Sequence, residues 1–292
     1  MVRFKASLTT LAKNRKAMVG IVILFICVVL AIFPGIVAPD NPTATAYKPN
    51  LLPSPTHWLG TTSLGQDVWS QLIHGTRLTL WVTLLVSAIA TCISMIVGVT
   101  SAYIGGATDR VMMIVTDVFL IIPVLPLLIL LASFLPTGVT SLVIVLTITS
   151  WAFQARQLRS QGLTIRNRDF LVAARVRGES AAYIILREIV PTMTSLLAAS
   201  FLALSVFEVG FAASLQFIGL GNSGELMWGT MLYQAQQAAA LESGNPWWAL
   251  APGIAVAFLG AGFAFLNYAF DEISNPALKP MKRKRKRVRA AA

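Results

Sequence analysis

The sequence predicts an all-α, polytopic membrane protein with six transmembrane helices. Three observations carry this. Of its 292 residues only 12% are charged and 56% are hydrophobic, against about 25% charged in a soluble domain. Six apolar runs, at 17–37, 78–104, 111–135, 138–155, 192–217 and 247–270, approach or exceed the roughly 20 residues that a helix needs to cross a hydrocarbon core. The basic residues also sort by these runs. With the N-terminus in the cytoplasm, 21 of the 23 lysines and arginines fall on the cytoplasmic side and only Lys48 and Arg77 outside, the asymmetry expected of a multi-pass membrane protein.

Taken in order, residues 1–16 form a basic cytoplasmic arm carrying Arg3, Lys5, Lys13, Arg15 and Lys16. The run at 17–37 then resembles a secretory signal. It is longer than a signal core, and Phe33-Pro34-Gly35 is a poor cleavage site, so a retained signal-anchor helix is expected. Residues 38–77 make a long extracytoplasmic loop with prolines at 39, 42, 49, 53 and 55. Loops of that length are often functional; a surface that touches a partner and a cap over the helices are both open. Residues 78–278 hold the remaining five spans. Two acids lie within them, Asp117 in the third and Glu208 in the fifth, and each is a pore candidate because intramembrane charge is costly. A proton-relay role would make the chain a secondary transporter; pairing with a structural partner, or contact with a wet path, is the plainer reading.

The net charge of +11 comes largely from the tail, 279–292, with its run Lys282-Arg283-Lys284-Arg285-Lys286-Arg287. So close to the last span, this cluster points to anionic membrane lipid rather than nucleic acid. Cys27 and Cys92 sit in apolar runs, and His57 and His74 lie far from both, so no metal set is expected. No Gly-Lys dipeptide occurs, which excludes a Walker A phosphate loop, and no Ser/His/Asp set suggests catalysis. The chain is expected to be no enzyme and to bind no cofactor, so the energy for any transport must come from another subunit or from an ion gradient.

The one long cytoplasmic connection between spans, 156–191, breaks into two short helices. Asp169 can cap the first, through Arg177. Gly178 suits the left-handed position that ends it. Ser180 can cap the second, Ala181 to Val190, with Ile184, Ile185 and Ile189 as its apolar positions. Ala173 and Ala174 are small enough to let another surface approach, and Arg175 and Arg177 can pair with acids on it. An ordinary solvated basic loop is the alternative.

The segment LVAARVRGESAAYIILREIVP resembles the E-A-A-x-x-x-G segment of binding-protein-dependent ABC importer permeases, with Gly178 as the motif glycine. HWLGTTSLGQDVWSQLIHGTRLTL resembles the H-x-L-G-T-D-x-x-G-R-D-V segment of the C-type permease in the dipeptide, oligopeptide and nickel subfamily. YIGGATDRVMMIVTDVFLIIP, SLQFIGLG, WGTML and PWWALAPG follow in that subfamily's order. The resemblance implies a cytoplasmic coupling helix in which Ala173, Ala174, Arg175, Arg177, Gly178 and Ser180 meet an ATPase. It further implies a bacterial or archaeal inner or plasma membrane, a second, B-type permease, two ATP-binding subunits that hold the ATP and Mg, and an extracytoplasmic substrate-binding protein. Peptides are the expected substrate, with oligosaccharides or nickel as alternatives; the tryptophans Trp58, Trp69, Trp247 and Trp248, all read as external, are compatible with sugars. Three departures stand out: Val172 replaces the motif glutamate, Gln66 the usual arginine, and Ala212 an acid that Glu208, one helical turn earlier, is placed to replace.

Overall fold

The computed structural model describes residues 14–221 and 224–274. Most of the basic N-terminal arm and the whole of the tail at 279–292 lie outside them. Five helices are long and apolar enough to cross a membrane, and a sixth crossing is made if one bent pair counts as a single span. Among the described residues no strand forms, and only an isolated bridge joins Thr61 to Asp67.

Helix α1 (Arg15–Ile32) is capped by Asn14, whose Oδ1 accepts the Lys16 N–H at 3.0 Å, and a short α2 (Pro34–Val37) follows. The second span is α3 (Val68–Ile104), 37 residues long and begun ten residues before the apolar run. Asp67 sets that start, since its Oδ2 accepts the Ser70 N–H at 2.7 Å. The apolar run begins later because these first turns carry polar residues, of which Gln71 and His74 bond the Pro42 and Ala38 carbonyls of the cap.

The third span is not one straight helix. It consists of α4 (Gly106–Ile121) and α5 (Val124–Phe134), bent by 94° at the break between them. Pro123 supplies no N–H to the ladder, and the residue before a proline is pushed out of the helical region; Ile122 lies at φ −74°, ψ 127°. The fourth span, α6 (Val139–Ile165), runs ten residues beyond its expected end. Between 156 and 165 there is no proline, and Gln, Leu and Arg are good helix formers. Arg156 and Arg159 therefore stand on a helix rather than in a loop.

The chain continues through α7 (Asp169–Val176), α8 (Thr194–Phe217), α9 (Trp228–Gln237) and α10 (Pro246–Ser274). Small residues let the spans close on one another, as is usual where lipid offers no hydrophobic drive for association. A Cβ on Gly98 of α3 would press into the Ala155 carbonyl oxygen of α6. One turn away, Ser94 donates to the Trp151 carbonyl at 2.7 Å. Between α1 and α10, a Cβ on Gly20 would lie 2.8 Å from the Gly262 oxygen. The outward faces stay apolar, with Phe25, Ile96, Phe134 and Ile254 all exposed.

Loop 38–67 folds into a cap over one end of the bundle. His57 Nδ1 meets Asp67 Oδ1 at 2.9 Å, with both residues buried. Asn245 Nδ2 donates to the Thr61 carbonyl at 2.6 Å, tying the cap to the start of α10. Gly60 and Gly65 both sit at φ +75°, where a side chain would also collide with the carbonyls of Leu51 and Tyr47. Gln66 replaces a charge with a neutral bracket, its Nε2 donating to the Thr43 carbonyl and its Oε1 accepting from Gln71. Trp58 and Trp69 pack ring on ring at 5.0 Å, while Trp248 is buried in the core, so the four tryptophans are not one external set.

Candidate functional site

At the opposite end of the bundle, residues 169–192 build a knob. Arg168 occupies the N-cap and Asp169 the first helical position, one residue later than expected for a cap, where an acid still favours the positive end of the helix dipole. The helix closes as foreseen. Gly178, at φ +78°, donates to the Arg175 carbonyl at 2.9 Å and Glu179 to that of Ala174 at 3.2 Å, the paired bonds of a Schellman ending. Ser180 then caps the next turn through the Tyr183 N–H.

The second helix departs from expectation. A single α-turn at Ala181–Tyr183 passes into a π-helix over Ile184–Ile189 before Val190–Thr192 resumes. Pro191 has no N–H for the carbonyl four residues back, and the ladder slips by one residue just ahead of it. Ile184 and Ile189 still point inward. With Leu171 and Ala174 they pack around Val99, Leu158 and Met193, pinning the knob to the ends of α3, α6 and α8.

This packing sorts the predicted docking residues. Ala174 is fully buried and glues the knob together, so it cannot meet a partner. Arg175 is turned back, donating to the Arg166 carbonyl at 2.7 Å with its guanidinium 5.4 Å from the Tyr103 ring centre. Arg177 stands between Glu179 at 3.7 Å and Glu188 at 3.8 Å. Ala173 and Gly178 face outward as expected. The chief outward feature was missed: Val172, 45% exposed, and Val176, 83% exposed, one turn apart on α7. Their i, i+4 spacing was the available signal.

Above the knob, α4 and α6 are joined by two ion pairs. Arg159 grips Asp109 through Nε and Nη2 at 2.6 and 2.7 Å, and Arg156 pairs with Asp117. Asp117 thus has a basic partner, supplied by the unexpected extension of α6. Asp109, Asp117 and Arg159 line one open cleft, whereas Glu208 lines another. The two acids do not meet in a shared chain.

The Glu208 cleft, of about 290 Å³, lies between α4, α5, α6 and α8. Its walls are mainly aromatic and aliphatic, among them Phe119, Phe153 and Phe207. Glu208 has no exposed surface, and neither carboxylate oxygen has a hydrogen-bond partner. Ser150 stands beside it, but gives its hydroxyl proton to the Leu146 carbonyl at 2.7 Å. Ala212, one turn further along α8, is also buried.

Comparisons with known proteins agree with this architecture. Residues 90–279 match the family described as binding-protein-dependent transport system inner membrane component, and residues 4–54 match the N-terminal transmembrane domain of oligopeptide transport permease C. The oligopeptide transport system permease protein OppC of Bacillus subtilis (strain 168) is 30% identical over 284 residues, covering 96% of this chain and 89% of the relative. The nickel transport system permease protein NikC of Escherichia coli (strain K12) is 29% identical over 246 residues, covering 82% and 86%. Among solved structures, an inward-facing form of the MetNI methionine ABC transporter aligns with a TM-score of 0.53 at 20% identity, over 68% of this chain and 96% of that one. That likeness is one of fold.

Proposed function

The chain belongs to the family of binding-protein-dependent transport system inner membrane components, and on that footing we propose that it forms half of a peptide-conducting pore driven by separate ATPase subunits. The observation that carries the coupling role is the knob at 169–192. It is pinned to three spans by a buried face and presents Val172 and Val176 outward. A protrusion with a rigid root can pass a push or pull into the bundle, which a floppy loop cannot. Its grip is apolar: with Val172 in the place of the motif acid and both nearby arginines engaged within the chain, contact rests on the valine ridge and on Ala173.

In this reading both termini and the knob are cytoplasmic and the cap at 38–67 is extracytoplasmic, as the distribution of basic residues favours. A B-type permease completes the pore, two ATP-binding subunits hold the ATP and Mg, and a substrate-binding protein delivers cargo from outside. Peptide is preferred as cargo because relatives named for oligopeptide and dipeptide transport match nearly the whole chain at 30% identity. Nickel and oligosaccharides stand behind it.

The test uses the assembled transporter in liposomes. Gly178→Pro demands φ near −65° at a residue held at +78°. The variant is expected to insert and assemble while ATP hydrolysis no longer drives uptake. Normal peptide uptake by the variant would remove the knob from the coupling path. A proton-coupled carrier would instead transport from liposomes holding this chain alone, where the importer reading expects none.

A further inference from the structure

The Glu208 cleft is chemically one-sided. Glu208 offers two oxygens that nothing donates to, and Gln154, 3% exposed on the same wall, has its Oε1 equally unpartnered. The two hydroxyls of the wall already donate to backbone carbonyls, Ser150 to Leu146 and Thr149 to Val145 and Leu146, although Ser150 stands beside Glu208. The cleft therefore presents buried acceptors, one of them a carboxyl, with no lysine, arginine or histidine in its lining; its Gln154 amide offers only neutral N–H donors. Unmatched buried acceptors are costly, and a carboxylate most of all. The surrounding surface adds the faces of Phe119, Phe153 and Phe207, a setting that attracts an organic cation over a neutral molecule.

We propose that this cleft is a binding site for a primary organic ammonium group, with Glu208 and Gln154 as its acceptors and the phenylalanines as its apolar walls. An ammonium carries three donors and no acceptor, which complements the set the cleft displays. Phe153 and Phe207 are 66% and 60% exposed and bound the entry. Because Glu208 has no surface open to water here, an entering group must displace a neighbouring ring or shift the Glu208 rotamer. The assignment of that ammonium to transported cargo rests on the pore reading above; the site itself does not.

The full chain in lipid nanodiscs is titrated calorimetrically with benzylammonium and, separately, with benzyl alcohol, each corrected by empty nanodiscs. Benzylammonium is expected to bind at least about tenfold more tightly than the alcohol, the size of a hydrogen bond to a charged group. Glu208→Gln should abolish that preference, and Glu208→Asp should keep part of it, which guards against a general folding defect. Equal binding of the two probes, or a preference that survives Glu208→Gln, overturns the site. The titration is repeated on the assembled transporter. Retained binding supports a cargo ammonium; binding lost on assembly means that a neighbouring subunit fills the site, and overturns the cargo assignment. Neither result depends on ATP-driven uptake, so failure of the importer reading is scored separately.

Discussion

Arg159 of the fourth span grips Asp109 of the third with two hydrogen bonds, Nε to Oδ1 at 2.6 Å and Nη2 to Oδ2 at 2.7 Å, at a site where both side chains are under a third exposed. This planar fork sits on the face where Arg156 also meets Asp117. Together the two pairs lock α4 to α6 on the knob side of the bend at Pro123. Bidentate arginine–carboxylate pairs combine strength with fixed geometry.

Removing one partner should therefore cost more than losing the pair. Asp109→Asn is expected to lower stability by about 2 kcal/mol, because it leaves a partly buried guanidinium without its counter-charge. The exchange Asp109→Arg with Arg159→Asp should recover part of the loss. Thermal unfolding of the single and double variants in micelles measures the coupling. Additive losses would show that the fork contributes no pairwise energy.

Gly98 tests the close crossing of α3 and α6. Any Cβ there meets the Ala155 carbonyl oxygen and the Leu158 side chain. Gly98→Leu should destabilise the bundle by about 3 kcal/mol or prevent assembly, as overpacking of a tight contact does. Gly210→Leu is the control, since nothing lies within 4 Å of its Cβ position. Melting temperatures of the two variants should separate clearly.

The valine ridge predicts how coupling fails. Val176→Asp places a charge where an apolar partner surface is expected, and should lower ATP-driven uptake at least about tenfold while the isolated chain unfolds normally. Val176→Ala should do less, since it gives up only part of one side chain's burial, about 1 to 2 kcal/mol. Arg175→Ala should instead show its effect on stability of the knob, because its hydrogen bond goes to the Arg166 carbonyl. Uptake that tolerates Val176→Asp would return the grip to the arginines.

The cap depends on Asp67, which serves two partners at once, His57 through Oδ1 and the Ser70 N–H through Oδ2. Asp67→Ala removes an N-cap, at about 1 kcal/mol, and strands a buried imidazole nitrogen, at about 1 to 3 kcal/mol more. Asp67→Asn should keep the cap and cost less. Protease accessibility of residues 38–67 in membranes of known sidedness would report both the loosening and the side on which the cap lies.

Sequence alone determined what depends on local chemistry. Apolar run length gave five crossings that stand as single helices, because a helix must be long enough to bury its backbone in lipid, and marked the segment that folds as the bent pair α4–α5. Gly178 and Ser180 gave the turn of the knob, because left-handed backbone and capping are properties of one or two residues. Proline alone did not place the bend, since the helix breaks at Pro123 while Pro252 stands inside α10. The tertiary structure decided which way each side chain faces. Two adjacent alanines look alike in sequence, yet Ala174 is sealed inside the knob and Ala173 is not. Asp117 acquires its partner only because α6 continues to Arg156, and Glu208 stands alone only because four helix segments close around it. Those outcomes follow from helix rotation and the approach of distant segments, which a local residue pattern does not specify.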